Sequence, residues 1–188
     1  MCGIFALLVN SNESIVDENI LQSFFMKGQK RGPEFSTLKK EKLNIASMEL
    51  YLGFHRLAIN GLDDASNQPL YYKDLSVICN GEIYNYKKIK NFYNFNYKTN
   101  SDCEIILHLY QYYKNQRLQS LKNKENYLNE YIRQKKFIAH TIASLLDGVF
   151  AFIIYDKETN DLFVGRDPIG IRPLFYGTRN DGFSFCSE

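Results

Sequence analysis

The chain reads as a single α+β domain, and three observations carry that reading. Apolar runs of strand length recur at Ile4-Phe5-Ala6-Leu7-Leu8-Val9, Leu75-Ser76-Val77-Ile78-Cys79 and Val149-Phe150-Ala151-Phe152-Ile153-Ile154; they have the β-branched and aromatic content of buried strands. Helical periodicity is confined to residues 15–30, residues 101–110 and a basic stretch at 114–136. With 188 residues, 45% hydrophobic and 23% charged, the chain suits one domain with a substantial core.

In chain order, the first strand closes at the polar turn Asn10-Ser11-Asn12-Glu13-Ser14. Residues 15–30 then place Ile20, Leu21, Phe24 and Phe25 on one helical face, with Asp17 as N-cap and Gly28 at the fraying end. Pro33 bars helix and pushes Gly32 to extended geometry, so residues 30–34 read as loop. Residues 48–59 are strand-like around Gly53, and Arg56 stands there alone among apolar neighbours. It is either a surface-facing strand residue or a guanidinium reserved for a carboxylate. Residues 68–74 read as a second loop ahead of the Leu75 strand, and residues 87–95 are polar and aromatic without a clear period.

Ser101 with Glu104 three residues later fits a capping box, opening a helix through Ile105, Ile106, Leu109 and Tyr110. Asp102 is then an ordinary first-turn acid or a carboxylate with another duty. From 114 to 136, Lys114, Arg117, Lys122, Lys124, Arg133, Lys135 and Lys136 outnumber Glu125 and Glu130, with Leu118, Leu121, Leu128 and Ile132 spaced for an apolar flank. This reads as a solvated helical hairpin on the edge of the fold, dispensable to any active site. Residues 148–166 form a β-hairpin through Lys157-Glu158-Thr159-Asn160, a Pro/Gly-punctuated loop follows at 167–173, and Phe183-Ser184-Phe185-Cys186 is the last strand. Ser187-Glu188 brings no capping turn, so more chain is expected beyond it.

Composition excludes several functions. Cys2, Cys79, Cys103 and Cys186 form no C-x-x-C or Cys/His cluster, which argues against a structural zinc and a disulfide scaffold and for reduced thiols in the cytoplasm. No apolar run approaches the ~20 residues of a membrane span, and no secretory leader is visible. A net charge of +2 without an aromatic-basic pattern gives no reason to expect nucleic acid.

The chemistry begins at Met1-Cys2-Gly3. Once the initiator methionine is removed, Cys2 carries both a thiol, titrating near ~8.5, and a free α-amine, near ~7.7–8.0, so the amine can take the thiol's proton at neutral pH. Cys2 is otherwise a small residue opening a buried strand. The second pointed stretch is Asn80-Gly81-Glu82-Ile83-Tyr84-Asn85. A side-chain amide and an unshielded glycine N–H are the two donors an oxyanion hole needs, although Asn-Gly is also a common hairpin turn.

Cys2-Gly3-Ile4-Phe5, Arg31-Gly32-Pro33, Arg56-Leu57-Ala58-Ile59, Gln68-Pro69, Asn80 to Asn85, Ser101-Asp102-Cys103-Glu104, Asp147 to Ala151 and Gly165 to Leu174 together resemble the class II, N-terminal-nucleophile glutamine amidotransferase domain, most closely the glutaminase half of asparagine synthetase. The resemblance spans residues 2–188. It implies an αββα four-layer sandwich of two antiparallel sheets between helices, and glutamine hydrolysis through a γ-glutamyl thioester on Cys2, with Asn80 and Gly81 holding the oxyanion. It further implies that Arg56 clamps the α-carboxylate, that Asp102 and Glu82 receive the α-ammonium, and that Leu57, Ala58, Ile59 and Asn60 line the site.

No metal or cofactor is implied for this step. ATP and magnesium belong to a synthetase domain whose phosphate-cradling glycine loop is absent from these residues. Such a domain or subunit is the expected ammonia acceptor, and a homodimer of a longer protein is compatible with the resemblance. Two departures stand out: Lys30-Arg31-Gly32-Pro33-Glu34 where the family has His-Arg-Gly-Pro-Asp, and a helical insertion at about 114–141. An acceptor other than aspartate, or a non-catalytic glutamine-binding or docking module that retains Met1, are the alternatives.

Overall fold

A computed structural model describes residues 1–118 and 126–188. Two antiparallel sheets form its centre. The first has five strands in the order β2 (Phe35–Glu41), β3 (Met48–Arg56), β1 (Gly3–Asn10), β9 (Gly182–Cys186) and β8 (Phe175–Arg179). The second has four, in the order β4 (Leu70–Tyr72), β5 (Leu75–Ile83), β6 (Gly148–Asp156) and β7 (Asp161–Arg166).

Strand alternation sorts each side chain to a layer. Ile4, Ala6, Leu50, Leu52 and Phe54 of the first sheet meet Ile78, Ala151 and Ile153 of the second in one apolar core. Val77, Cys79, Phe150, Phe152 and Ile154 point the other way, onto α3 (Glu104–Leu118) and α4 (Tyr127–Leu145). α2 (Tyr86–Tyr93) adds Ile89 to that helical layer. On the outer face of the first sheet lies α1 (Glu18–Met26), whose Phe25 packs where Gly53 leaves room for its ring. The result is the expected four-layer αββα arrangement.

Several local expectations are corrected. The 68–74 loop contains strand β4, short because its pairing with β5 ends at Leu70 opposite Val77. Asn80 and Gly81 are not a turn: β5 runs through them, paired to Ala151 and Phe150. Lys30 and Arg31 belong to a 3-10 turn, Lys27–Arg31, so the loop opens only at Gly32. Strand β2 and helix α2 carried no clear pattern because both are polar; β2 is a sheet edge, where lysines are the rule.

In α1 the Asp17 cap holds, accepting from the N–H groups of Asn19 and Ile20. Its apolar stripe does not bury as one face: Phe25 is 5% exposed, but Ile20 and Phe24 are 56% and 60%. The capping box at Ser101 is half made. Ser101 Oγ accepts from the Cys103 N–H at 3.3 Å, while the Glu104 carboxylate reaches past the cap to the N–H groups of Lys98 and Thr99, both at 2.8 Å, and to His108 Nε2 at 3.0 Å.

The basic stretch is the largest correction. Lys114 and Lys135 are not solvated; they are buried on either side of Asp156, which is fully buried. Lys114 Nζ lies 2.7 Å from Asp156 Oδ2 and 2.7 Å from Glu158 Oε2. Lys135 Nζ reaches Asp161 Oδ2 at 2.5 Å and the Tyr110 hydroxyl at 2.7 Å, and that hydroxyl donates to Asp156 at 3.1 Å. Leu128 and Ile132, assigned to an apolar flank, are exposed, and Ile138 and Ile142 are buried instead. Leu121, Lys122, Lys124 and Glu125 lie outside the described residues. These helices therefore build the layer that covers the second sheet, rather than an edge accessory.

Candidate active site

Because β1 and β3 run antiparallel with Gly3 opposite His55, the residue before β1 must rest beside the end of β3. Cys2 does so. Its Sγ accepts from the Leu57 N–H at 3.3 Å and faces the Leu57 carbonyl at 3.4 Å, while Arg31 Nε donates to the Cys2 carbonyl at 3.2 Å. Burial pushes the thiol pKa up, and the Leu57 N–H acts against that shift by favouring thiolate. In this chain Met1 still precedes Cys2, so the Cys2 nitrogen is a peptide N–H.

β5 forms the opposite wall. Ile78 points between the sheets, so the period of two sends the Asn80 side chain into the same space. Asn80 is 1% exposed, and its Nδ2 has no hydrogen-bond partner among the described residues. A buried amide donor left in this state carries a desolvation cost of about 1–3 kcal/mol unless a ligand meets it.

Gly81 supplies a second donor by a different route. Phe150 turns both its main-chain groups to Asp167: its N–H donates to Asp167 Oδ2 at 3.3 Å, and its carbonyl accepts from the Asp167 N–H at 2.8 Å. The Gly81–Phe150 pair is thus a non-hydrogen-bonded one, and the Gly81 N–H faces the other edge of β5. β4 has already ended there. On this same edge the Ile83 N–H donates to Asp102 Oδ2 at 2.6 Å, and Cys79 is held by the side chain of Gln68. Between them the Gly81 N–H opens onto the pocket. Only glycine fits, since a Cβ would come within 2.5 Å of the Val149 carbonyl oxygen.

One pocket is lined by Cys2, Leu57, Ile59, Asn60, Asn80, Gly81, Glu82 and Asp102, joined by Met1, Phe54, Ser66, Gln68, Cys79, Ser101, Cys103 and Arg172. Asn60 Nδ2 donates to Glu82 Oε1 at 3.3 Å across it. Asp102 is 3% exposed. Burial raises its carboxyl pKa, with the Ile83 N–H opposing.

Two expected site residues do not line this pocket. The Ala58 N–H is taken by Glu34 Oε2 at 2.5 Å. The Arg56 guanidinium is turned into the following loop, where it donates to the carbonyls of Gly61 and Asp63 and to Asn67 Oδ1. Arg172 does line the pocket, with its Nη1 against Met1 Sδ and its Nε buried without a partner among the described residues. Asp167 shapes the Arg172 loop by accepting from the N–H groups of Ile169, Ile171 and Arg172. Gln68 and Arg172 both stood inside segments that carry the family resemblance, so the signal was present, but nothing local assigned them a role.

A two-sheet αββα sandwich with a thiol beside its first strand and amide donors on the facing strand is the arrangement that a glutamine amidotransferase needs, and residues 54–188 match the model of the glutamine amidotransferase domain. The chain belongs to that family. It is similar to asparagine synthetase [glutamine-hydrolyzing] of Pongo abelii and of Homo sapiens, each 37% identical over 193 residues, and to asparagine synthetase [glutamine-hydrolyzing] 2 of Oryza sativa subsp. japonica, 34% identical over 192 residues. All of this chain is covered in each case, but it spans only 28%, 28% and 27% of those relatives. No helix among the described residues is long and apolar enough to cross a membrane.

Proposed function

We propose that this domain hydrolyses glutamine to glutamate and ammonia through a γ-glutamyl thioester on Cys2, and that the ammonia serves asparagine synthesis in a synthetase domain or subunit. The observation that carries this is that Asn80 Nδ2, without a partner among the described residues, and Gly81, whose N–H faces the open edge of β5, line the same pocket as the Cys2 thiol. The thiolate attacks the side-chain carbonyl carbon of glutamine, and both donors meet the oxygen as it becomes an oxyanion. Collapse breaks the C–N bond, ammonia leaves with the proton first held by the α-amine, and water then cleaves the thioester to glutamate.

The mechanism needs Met1 removed, which frees that amine and vacates the part of the pocket Met1 lines. Asp102 and Glu82 receive the α-ammonium. The α-carboxylate falls to Arg56, exchanging a loop carbonyl for substrate, with Arg172 as the second candidate because it is the guanidinium that lines the pocket. Arg56→Ala and Arg172→Ala separate the two by which one raises KM at unchanged kcat.

The hydrolytic step asks for no metal or cofactor; ATP and magnesium fall to the synthetase, and the setting is cytoplasmic. Incubating the processed chain with glutamine should release glutamate and ammonia in equal amounts, and a glutamine-analogue diazo ketone should add once, at Cys2. No glutamate and no adduct would overturn the proposal. Retained Met1 in the intact mass, with glutamine bound but not hydrolysed, would establish the non-catalytic alternative instead.

A further inference from the structure

We infer that Gln68 is the positioning residue of the oxyanion hole, a role that rests on the glutaminase reading above. β4 pairs with β5 only from Leu70 opposite Val77 to Tyr72 opposite Leu75. Carried two residues further, that register sets Gln68 opposite Cys79. The strand itself does not continue so far, and the Gln68 side chain makes the two bonds that a strand would have made. Its Oε1 accepts from the Cys79 N–H at 2.5 Å, and its Nε2 donates to the Cys79 carbonyl at 3.1 Å. An amide side chain can do this because it carries one donor and one acceptor in the geometry of a peptide group.

The consequence reaches the chemistry directly. The Cys79 carbonyl belongs to the peptide group that leads into Asn80, so Gln68 sets the plane from which the Asn80 side chain projects. It also closes the edge of β5 at Cys79 and leaves the next edge-facing N–H, that of Gly81, open. Gln68 is 6% exposed, and Ser66, two residues earlier, lines the same pocket in the 3-10 turn Asp64–Ser66 that carries the chain away from β5. A backbone strand carried two residues beyond Gln68, to Ser66 opposite Gly81 in the same register, would have covered the Gly81 N–H. A side-chain strand mimic ends the sheet where the donor must stay free, while keeping the segment before it rigid.

The test uses the processed chain bearing Gln68→Met, which keeps the volume and removes both bonds, and Gln68→Glu, which keeps the acceptor for the Cys79 N–H and sets an oxygen against the Cys79 carbonyl. Both should lower kcat by about ten- to a hundredfold, less than outright loss of an oxyanion donor, with KM for glutamine within about twofold and Cys2 still alkylated by iodoacetamide at the wild-type rate. In 15N-labelled protein the Asn80 side-chain and Gly81 amide resonances should move, while those of β1 and β3 stay. A kcat unchanged in Gln68→Met, or a fall matched by a rise in KM, would overturn the inference. If the wild-type chain hydrolyses no glutamine, the glutaminase reading fails by itself, and the Gly81 and Asn80 resonances alone decide the positioning role: unmoved in both variants, they refute it.

Discussion

The β5–β6 pair carries a buried polar cluster at each end, and the two are built on opposite principles. At one end Asp156 is surrounded by Lys114, Lys135, Tyr110 and the Glu158 N–H, so that its carboxylate oxygens are met. At the other end Asn80 Nδ2 has no partner among the described residues, and the Gly81 N–H faces an edge with no strand on it. Buried polar groups are ordinarily satisfied. The satisfied cluster therefore speaks of packing; an unpaired polar atom points to a ligand only where it lines a pocket, as Asn80 does and Ser76, unpaired on the same strand among the described residues, does not.

Five experiments would break or sharpen this contrast. The largest effect is at the pocket: Cys2→Ala should cut glutamine turnover by more than about 10⁴-fold, as loss of a nucleophile does elsewhere, while calorimetry still detects glutamine binding. Residual turnover near the wild-type rate would put the nucleophile elsewhere. At the other cluster, Asp156→Ala removes the carboxylate shared by two buried lysines, leaving Lys114 with Glu158 and Lys135 with Asp161, and should cost about 1.5–3 kcal/mol in urea unfolding. The kinetic constants of the molecules that remain folded should not change; a selective loss of kcat would tie Asp156 to the chemistry. Deleting residues 114–136 should also fail to fold, since it removes both lysines, in contrast to the spared activity that a solvated excursion implies.

Asn80→Ala reverses the pattern. Turnover should fall by about 10²–10³, because the lost donor acts on charge that develops only in the transition state. The melting temperature should hold or rise, because an unpaired buried amide has been removed. A clear drop in stability would mean that Asn80 is a structural group after all.

The smallest effect is in pH. Burial holds the Asp102 carboxyl above the usual carboxylate range, and only the carboxylate attracts the α-ammonium. The KM for glutamine should therefore rise as pH falls through that raised value, by up to about tenfold per pH unit. In stability the sign is opposite to that of a depressed carboxyl: the contribution of Asp102 is fully present below its unfolded pKa and is lost as pH rises through the folded one. Asp102→Asn should flatten both profiles, and an acid-side KM profile unchanged by that substitution would remove Asp102 from the ammonium site.

Much of this protein was legible in its residues alone. Apolar runs marked β1, β5 and β6 because a buried strand must be apolar on both faces, and Asp17 announced α1 because an N-cap bond is made within three residues. Cys2 and Asn80-Gly81 stood out as a candidate nucleophile and candidate donors because each would owe that chemistry to its own atoms. Tertiary structure alone decided which groups are paired. Asn80-Gly81 lies in mid-strand rather than in a turn because β6 runs beside it, and its edge is open because β4 stops at Leu70. Lys114 and Lys135 are buried because Asp156, on a strand that follows both helices, gathers them, and Arg56 turns to its own loop rather than to the pocket. The Asp156 contacts join residues far apart in the chain, so no local window of sequence contains both partners; the Arg56 partners lie within its own loop, but residue types alone do not fix which way the guanidinium turns.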